Sequence, residues 1–256
     1  TRPAVEPVVI PWDSLRMSLT SQEYAMVSVP AVLENPGLEA TLTDDYGAYR
    51  PSDWRLFRWR NDRYREYPNI RRGFEPGRAF FLVTQSGQPF TFETARSTDT
   101  SRPYVLELAP GWNQIGNPFA FPVAWTRLQY PTGSLKEIAF YDGTEWIQDP
   151  GRLTTFEPWT GYFVRNIEPH EVRISIPPDE AKTNEGSGKS DVRAERPAFS
   201  NKQMIQLSAR IPNTSFQDTQ NWVGFAAGAS SGEDGLDLRE APPLGSTVRL
   251  SIVDGD

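Results

Sequence analysis

From Trp54 onward, apolar and polar residues alternate with the period of two that a half-buried strand requires. Trp54-Arg55-Leu56-Phe57-Arg58-Trp59 reads as a strand, Asn61-Asp62 as a two-residue hairpin turn, and Arg63-Tyr64-Arg65-Glu66-Tyr67 as the returning strand. Further strands are predicted over Tyr24–Val29, stopped by Pro30, and over Ala79–Val83, Pro89–Glu93 and Tyr104–Leu108. Asn35-Pro36-Gly37, Asp44-Asp45-Tyr46-Gly47 and Phe74-Glu75-Pro76-Gly77 mark turns, with a short helical turn expected around Leu38–Leu42.

The pattern then repeats. A shift of 82 residues lays Phe74-Glu75-Pro76-Gly77-Arg78-Ala79-Phe80-Phe81-Leu82 over Phe156-Glu157-Pro158-Trp159-Thr160-Gly161-Tyr162-Phe163-Val164. The same shift lays Trp59 over Tyr141, Tyr64 over Trp146, Asn61-Asp62 over Gly143-Thr144 and Phe90-Thr91-Phe92 over Val172-Arg173-Ile174. Upstream, with six fewer residues between the elements, Tyr24–Pro30 lies over Trp112–Pro118. The second of these segments belongs to Gly111-Trp112-Asn113-Gln114-Ile115-Gly116-Asn117-Pro118-Phe119, an apolar run carrying two glycines, two asparagines and a proline. It is expected to open the second module, with Trp112 and Ile115 in the core, Gly116 permitting close backbone approach, and its polar side chains serving backbone groups where the modules join.

The expected fold is therefore all-β, with two tandem repeated β-modules followed by a partial β-sandwich. Residues 1–23 form an extended lead-in, 24–110 the first module, 111–178 the second, 179–197 a polar linker or long loop, and 198–256 the sandwich strands. Strands are expected at Gln203–Ile211, Asn221–Ala226 and Thr247–Val253. The opening Thr1-Arg2-Pro3, without methionine, suggests a processed or excised piece of a longer chain.

Composition agrees: in 256 residues there are 23 prolines and 19 glycines, and 12% of side chains are aromatic. The formal net charge is −7, which disfavours nucleic acid as a partner because phosphate binding requires a basic surface. The local exception is Arg55, Arg58, Arg60, Arg63, Arg65, Arg71 and Arg72, read as the solvated face of a hairpin or, alternatively, an anionic-ligand site. No apolar run is long enough to span a membrane. The absence of cysteine excludes disulfides, thiolate metal sites and cysteine nucleophiles.

Candidate chemistry is sparse. The one histidine, His170, matches Gln88 in the repeat and reads as a turn residue; no nucleophile elbow, zinc signature or phosphate loop is present. Glu75 and Glu157 are a candidate hydrolytic pair, but they are equivalent positions of one repeated turn and are expected to accept backbone N–H groups there. No cofactor is required. Calcium is the best candidate, through the hard oxygen ligands of Glu233, Asp234 and Asp237, although their spacing departs from the EF-hand loop. Among the tryptophans, Trp159 stands where the first module has Gly77, so it is expected to be exposed and, with Tyr141, to form a ligand-binding surface suited to extracellular glycan.

GWNQIGNPF, the WRLFRW…EYP…FEPGRAFFLV run and the late GASSGEDGLDLREAPP segment together resemble the β-modules of large secreted multidomain proteins of Bacteroidetes-type bacteria, often exported by type IX secretion. The resemblance spans roughly residues 24–253 and implies a secreted or cell-surface location, with no catalytic role attached to these motifs. The expected function is a non-catalytic structural or adhesive module that assembles with other protein domains or with copies of itself; the alternative is a carbohydrate-binding accessory module.

Overall fold

A computed structural model describes residues 9–11, 24–88, 91–92, 94–143, 146–148, 151–181, 204–210, 212, 217–224 and 241–242. In chain order the strands are β1 (Val9–Pro11), β2 (Ala25–Ser28), β3 (Ala31–Leu33), β4 (Trp54–Trp59), β5 (Tyr64–Glu66), β6 (Ala79–Thr84), β7 (Thr94–Ser97), β8 (Tyr104–Leu108), β9 (Gly111–Gly116), β10 (Val123–Ala124), β11 (Leu135–Tyr141), β12 (Trp146–Ile147), β13 (Thr155–Phe156), β14 (Gly161–Asn166), β15 (Val172–Ile176), β16 (Met204–Arg210) and β17 (Gln217–Gly224). One α-helix, α1 (Leu38–Tyr46), and a 3-10 turn at Trp125–Arg127 accompany them among the described residues. The protein is all-β, and the ladders between these strands are antiparallel.

Local chemistry makes the β4–β5 hairpin. Asn61 and Asp62 both adopt positive φ, 52° and 55°, as a primed two-residue turn demands and as Asn and Asp tolerate better than other side chains. The turn closes with Arg60 N–H donating to Arg63 O at 2.9 Å, and it sets the register Trp59↔Tyr64, Arg58↔Arg65 and Phe57↔Glu66.

Two four-stranded sheets follow, in the orders β2-β6-β4-β5 and β9-β14-β11-β12. Elements matched by the internal shift occupy the same place in each: β2 and β9 at one edge, β6 and β14 next, then β4 and β11, with β5 and β12 at the other edge. The strands β6 (AFFLVT) and β14 (GYFVRN) are nearly continuous apolar runs because both of their faces are covered. Phe80 and Phe81 are adjacent and both fully buried, and Tyr162 and Phe163 are likewise adjacent and buried.

Three cores result. Val27, Leu56, Phe80 and Leu82 point from the first sheet toward α1, β3 and β7, meeting Leu38, Leu42, Leu33 and Ala95. Ile115, Tyr162 and Val164 point from the second sheet toward Leu108, Val123, Trp125, Phe156, Val172 and Ile174. Met26, Phe57 and Phe81 on the first sheet face Ala139, Tyr141 and Phe163 on the second, forming a core that the two sheets share.

Outside the sheets the structure departs from expectation in three places. The helix runs nine residues rather than one turn. Strand β7 runs Thr94–Ser97; of the strand expected over Pro89–Glu93 only Thr91 and Phe92 are among the described residues, neither in a strand, and Asp45 holds Thr91 through both its backbone N–H and its hydroxyl, each at 2.8 Å. Strand β8, which the sequence groups with the first module, pairs along its whole length with β15, from Tyr104↔Ile176 to Leu108↔Val172. Strands β16 and β17 form an antiparallel hairpin, while most of the 179–197 linker and the expected strand Thr247–Val253 lie outside the described residues.

Candidate functional site

The two sheets meet through a set of contacts related in pairs. Val27 bridges Thr160, and Ile115 bridges Arg78. Ser28 N–H donates to Trp159 O at 2.9 Å, and Gly116 N–H donates to Gly77 O at 3.2 Å. The internal match equates Val27 with Ile115, Ser28 with Gly116, Gly77 with Trp159 and Arg78 with Thr160, so each contact is the counterpart of the other. A surface that meets its own equivalent in this way has the isologous pattern of a twofold interface, here within one chain.

Small residues permit the approach. A Cβ built on Gly116 would lie 2.2 Å from Ser28 Cβ, and one on Gly161 would lie 2.8 Å from Ala79 Cβ. Both are matched pairs, and neither site has room for a larger side chain. The Ser28 hydroxyl adds a donor bond to Thr160 O at 2.9 Å. Deeper in the junction the Gln114 side-chain carbonyl accepts Trp59 N–H at 2.9 Å, joining β9 to the end of β4.

Aromatic rings fill the shared core. Phe81 meets Tyr141 at 6.0 Å, Trp146 at 5.9 Å and Phe163 at 6.4 Å, while Phe163 also meets Trp59 and Trp112. Most of these are edge-to-face contacts, each worth about 0.5–1.5 kcal/mol beyond area burial. Tyr64 closes one end: its hydroxyl donates to Pro242 O at 2.7 Å beside the buried Ala241, and burial pushes its pKa well above the usual range.

The residues singled out in the sequence fall as follows. Tyr141 is buried in the shared core, its ring packed on Phe81 and Trp146. Trp159 does adopt the positive φ of its counterpart, 65° against 83° for Gly77. It is nevertheless half-buried, packed against the core on the outer face of the first sheet, with its ring stacked on Phe92 at 6.5 Å. The expectation of exposure fails because the turn that carries Trp159 faces the junction, so these two rings supply packing rather than an open stacking platform. Glu233, Asp234 and Asp237, the calcium candidates, lie outside the described residues. Among the described residues no three His, Asp or Glu side chains gather as a metal site would need.

The asparagines near the junction and the acidic residues of the repeated turn serve the backbone or neighbouring side chains. Asn113 bonds Ala109 and Gly111 O, Asn117 bonds Phe121 and Phe156 O and receives Phe119 N–H, and Asn166 bonds Leu108 and His170 O. His170 itself is exposed in that turn. Glu75 pairs with Arg78 at 2.9 Å and Glu157 accepts the Thr155 hydroxyl, so both bind side chains rather than the backbone N–H groups expected. Glu157 N–H goes instead to the Tyr162 hydroxyl, whose pKa burial pushes up to about 12.

A shallow cleft of about 400 Å³ is lined by Asp45, Tyr46, Asp53, Gln85, Ser86 and Gln88. Its carboxylates are engaged locally, Asp45 with Thr91 and Asp53 with Ser52 and Arg50. The Ser52 hydroxyl, with help from Arg50, holds Asp53 below the usual carboxylate range. General-acid catalysis needs the opposite shift.

Sequence reasoning found the junction strand but missed Gln114 as the link to β4. Its signal was a polar residue where the matching position, Met26, is apolar. Compared with known protein families, curated proteins and solved structures, the chain matches none.

Proposed function

We propose that the chain is a non-catalytic structural and adhesive unit of a secreted or cell-surface multidomain protein, built from two tandem β-modules and mediating protein–protein assembly. The observation that carries this reading is the paired junction: the conspicuous Gly, Gln and aromatic residues all serve to lock one module onto the other. A rigid, double-sheeted block of this kind suits a load-bearing or spacing role. The type IX-exported proteins that the motifs resemble supply the cellular setting.

An edge supports the assembly part. Strand β8 pairs with β15 alone among the described strands, and Val105 on it is 54% exposed. An unpaired edge with an outward apolar residue is a template for strand addition by another chain. Sedimentation of the full chain across a concentration series tests this, with substrate screens against polysaccharides and peptides run in parallel. The expected result is concentration-dependent association that Val105→Lys weakens, with no product released. A strictly monomeric chain, or one that cleaves any substrate, overturns the proposal.

A further inference from the structure

The register of the first sheet gathers arginines on one face. Leu56 opposes Leu82, which places Arg58 and Arg60 on the same face as Phe80 and Arg78, and Arg65 stands directly opposite Arg58. The Arg58 guanidinium lies over the Phe80 ring, 5.5 Å from its centre, and its Nε is buried without a hydrogen bond among the described residues. Like charges opposed across a ladder are unfavourable, and a buried cation is costly unless paired.

The loop before β6 adds Arg72 and Glu75. Arg60 and Arg72 each act electrostatically on both Arg58 and Arg78, so four guanidinium groups share one neighbourhood. Glu75, paired with Arg78, is the one carboxylate acting on both. Burial first, then Arg78 and Arg60, push the Arg58 pKa down to about 10. The Tyr104 hydroxyl, bonded to Pro76 O at 2.8 Å, walls one side, while Arg60 and Arg72 are open to solvent. A surplus of positive charge in a protein of net charge −7 is a local device.

We infer that Arg58, Arg60, Arg72 and Arg78 form a binding site for a sulfate or phosphate group. A tetrahedral divalent oxyanion offers acceptors in several directions at once, matching guanidinium groups that converge from a strand pair and a loop. Its charge offsets the surplus that Glu75 leaves, and the solvent-open Arg60 and Arg72 supply donors for it. The site goes beyond the assembly role and would attach the block to an anionic ligand.

The test is thermal unfolding of the full chain with inorganic sulfate or phosphate added up to about 10 mM, below the range of general salting effects, at ionic strength held constant with chloride. A saturable rise in Tm is expected in the wild type, and it is expected to vanish in Arg60→Gln/Arg72→Gln, whose positions are exposed and outside the cores. Arg58→Met, checked by near-UV dichroism for an intact fold, should also abolish it. An equal response in wild type and double variant, or one that follows ionic strength alone, overturns the site. Retention on dextran sulfate but not dextran identifies a sulfated polysaccharide as the source. Selective stabilisation by a sugar phosphate over the free sugar identifies a phosphate ester instead. Failure of both ligands together with inorganic anions refutes the inference.

Discussion

Asn117 carries the clearest single-residue test of how polar groups are used in this protein. It is fully buried, donates to Phe156 O at 2.6 Å and Phe121 O at 2.8 Å, and accepts Phe119 N–H at 2.9 Å. Asn117→Asp preserves the shape and the acceptor but turns a carboxylate oxygen toward two carbonyls. Burial and those carbonyls raise the folded-state pKa above the unfolded value of about 4. The folded state then binds the proton more tightly, so stability is lost as pH rises from about 4 toward the folded pKa. A loss of about 3 kcal/mol is expected at pH 7 and a smaller one at pH 4.5, read from urea unfolding at both. Equal losses would show that Asn117 does not act through its donors. Trp159 sets two effects against each other. Replacing it with Gly relieves a left-handed backbone costing about 1 kcal/mol, but it removes half-buried ring packing worth about 2–3 kcal/mol. Packing wins, and Trp159→Gly is expected to lower the urea midpoint despite matching Gly77, the residue it aligns with.

At the scale of elements, the β4–β5 hairpin is tied by Glu66, which accepts Arg55 Nε at 2.6 Å, Arg55 Nη2 at 2.9 Å and the Tyr49 hydroxyl at 2.9 Å. Arg55 above all, assisted by Tyr49, holds the Glu66 pKa below its usual value. A depressed carboxyl contributes stability above the unfolded pKa of about 4.3 and loses it as pH falls through the folded value. Glu66→Gln is therefore expected to cost about 1 kcal/mol at pH 7, given partial exposure of the pair, and progressively less in acid. Tyr49 works in the other direction: burial, then its bond to Glu66, raises it to about 12, so wild-type stability should fall between about pH 10 and 12. This hairpin was legible in the sequence because alternation and turn chemistry are both local. Strands β6 and β14 were legible for a related reason, since cover on both faces leaves an unbroken apolar run. The tie between Asp45 and the Thr91 amide was hidden, because the two residues lie 46 apart in the chain. The pairing of β8 with β15 was hidden too, since nothing in Tyr104–Leu108 records which distant strand lies beside it. The match of Trp159 to Gly77 correctly located a turn, but which surface that turn faces is decided by the other sheet.

For the whole molecule, the shared core determines whether the two sheets behave as one body. Each sheet has a core of its own on its outer face, yet separation would bare Met26, Phe57 and Phe81 on one and Tyr141 and Phe163 on the other. Exposing so much apolar surface outweighs the freedom gained by parting, so a single cooperative transition is expected by both tryptophan fluorescence and far-UV dichroism. Phe81→Ala is expected to cost about 3–5 kcal/mol as a fully buried large-to-small change, a sizeable part of a typical total of about 5–15 kcal/mol. Because Phe81 and Phe163 are in contact, Phe81→Ala and Phe163→Ala should not add, with a coupling of about 0.5–3 kcal/mol in a double-mutant cycle. If the two changes add, and Phe81→Ala splits unfolding into two transitions, the sheets fold as neighbours rather than as one unit. Coupling matters for the proposed role, since a block that transmits force or fixes spacing between domains must not open at its own middle. The matched pairs Ser28–Gly116 and Ala79–Gly161 lie where that opening would begin, and they bring the two backbones close enough to hydrogen-bond across it.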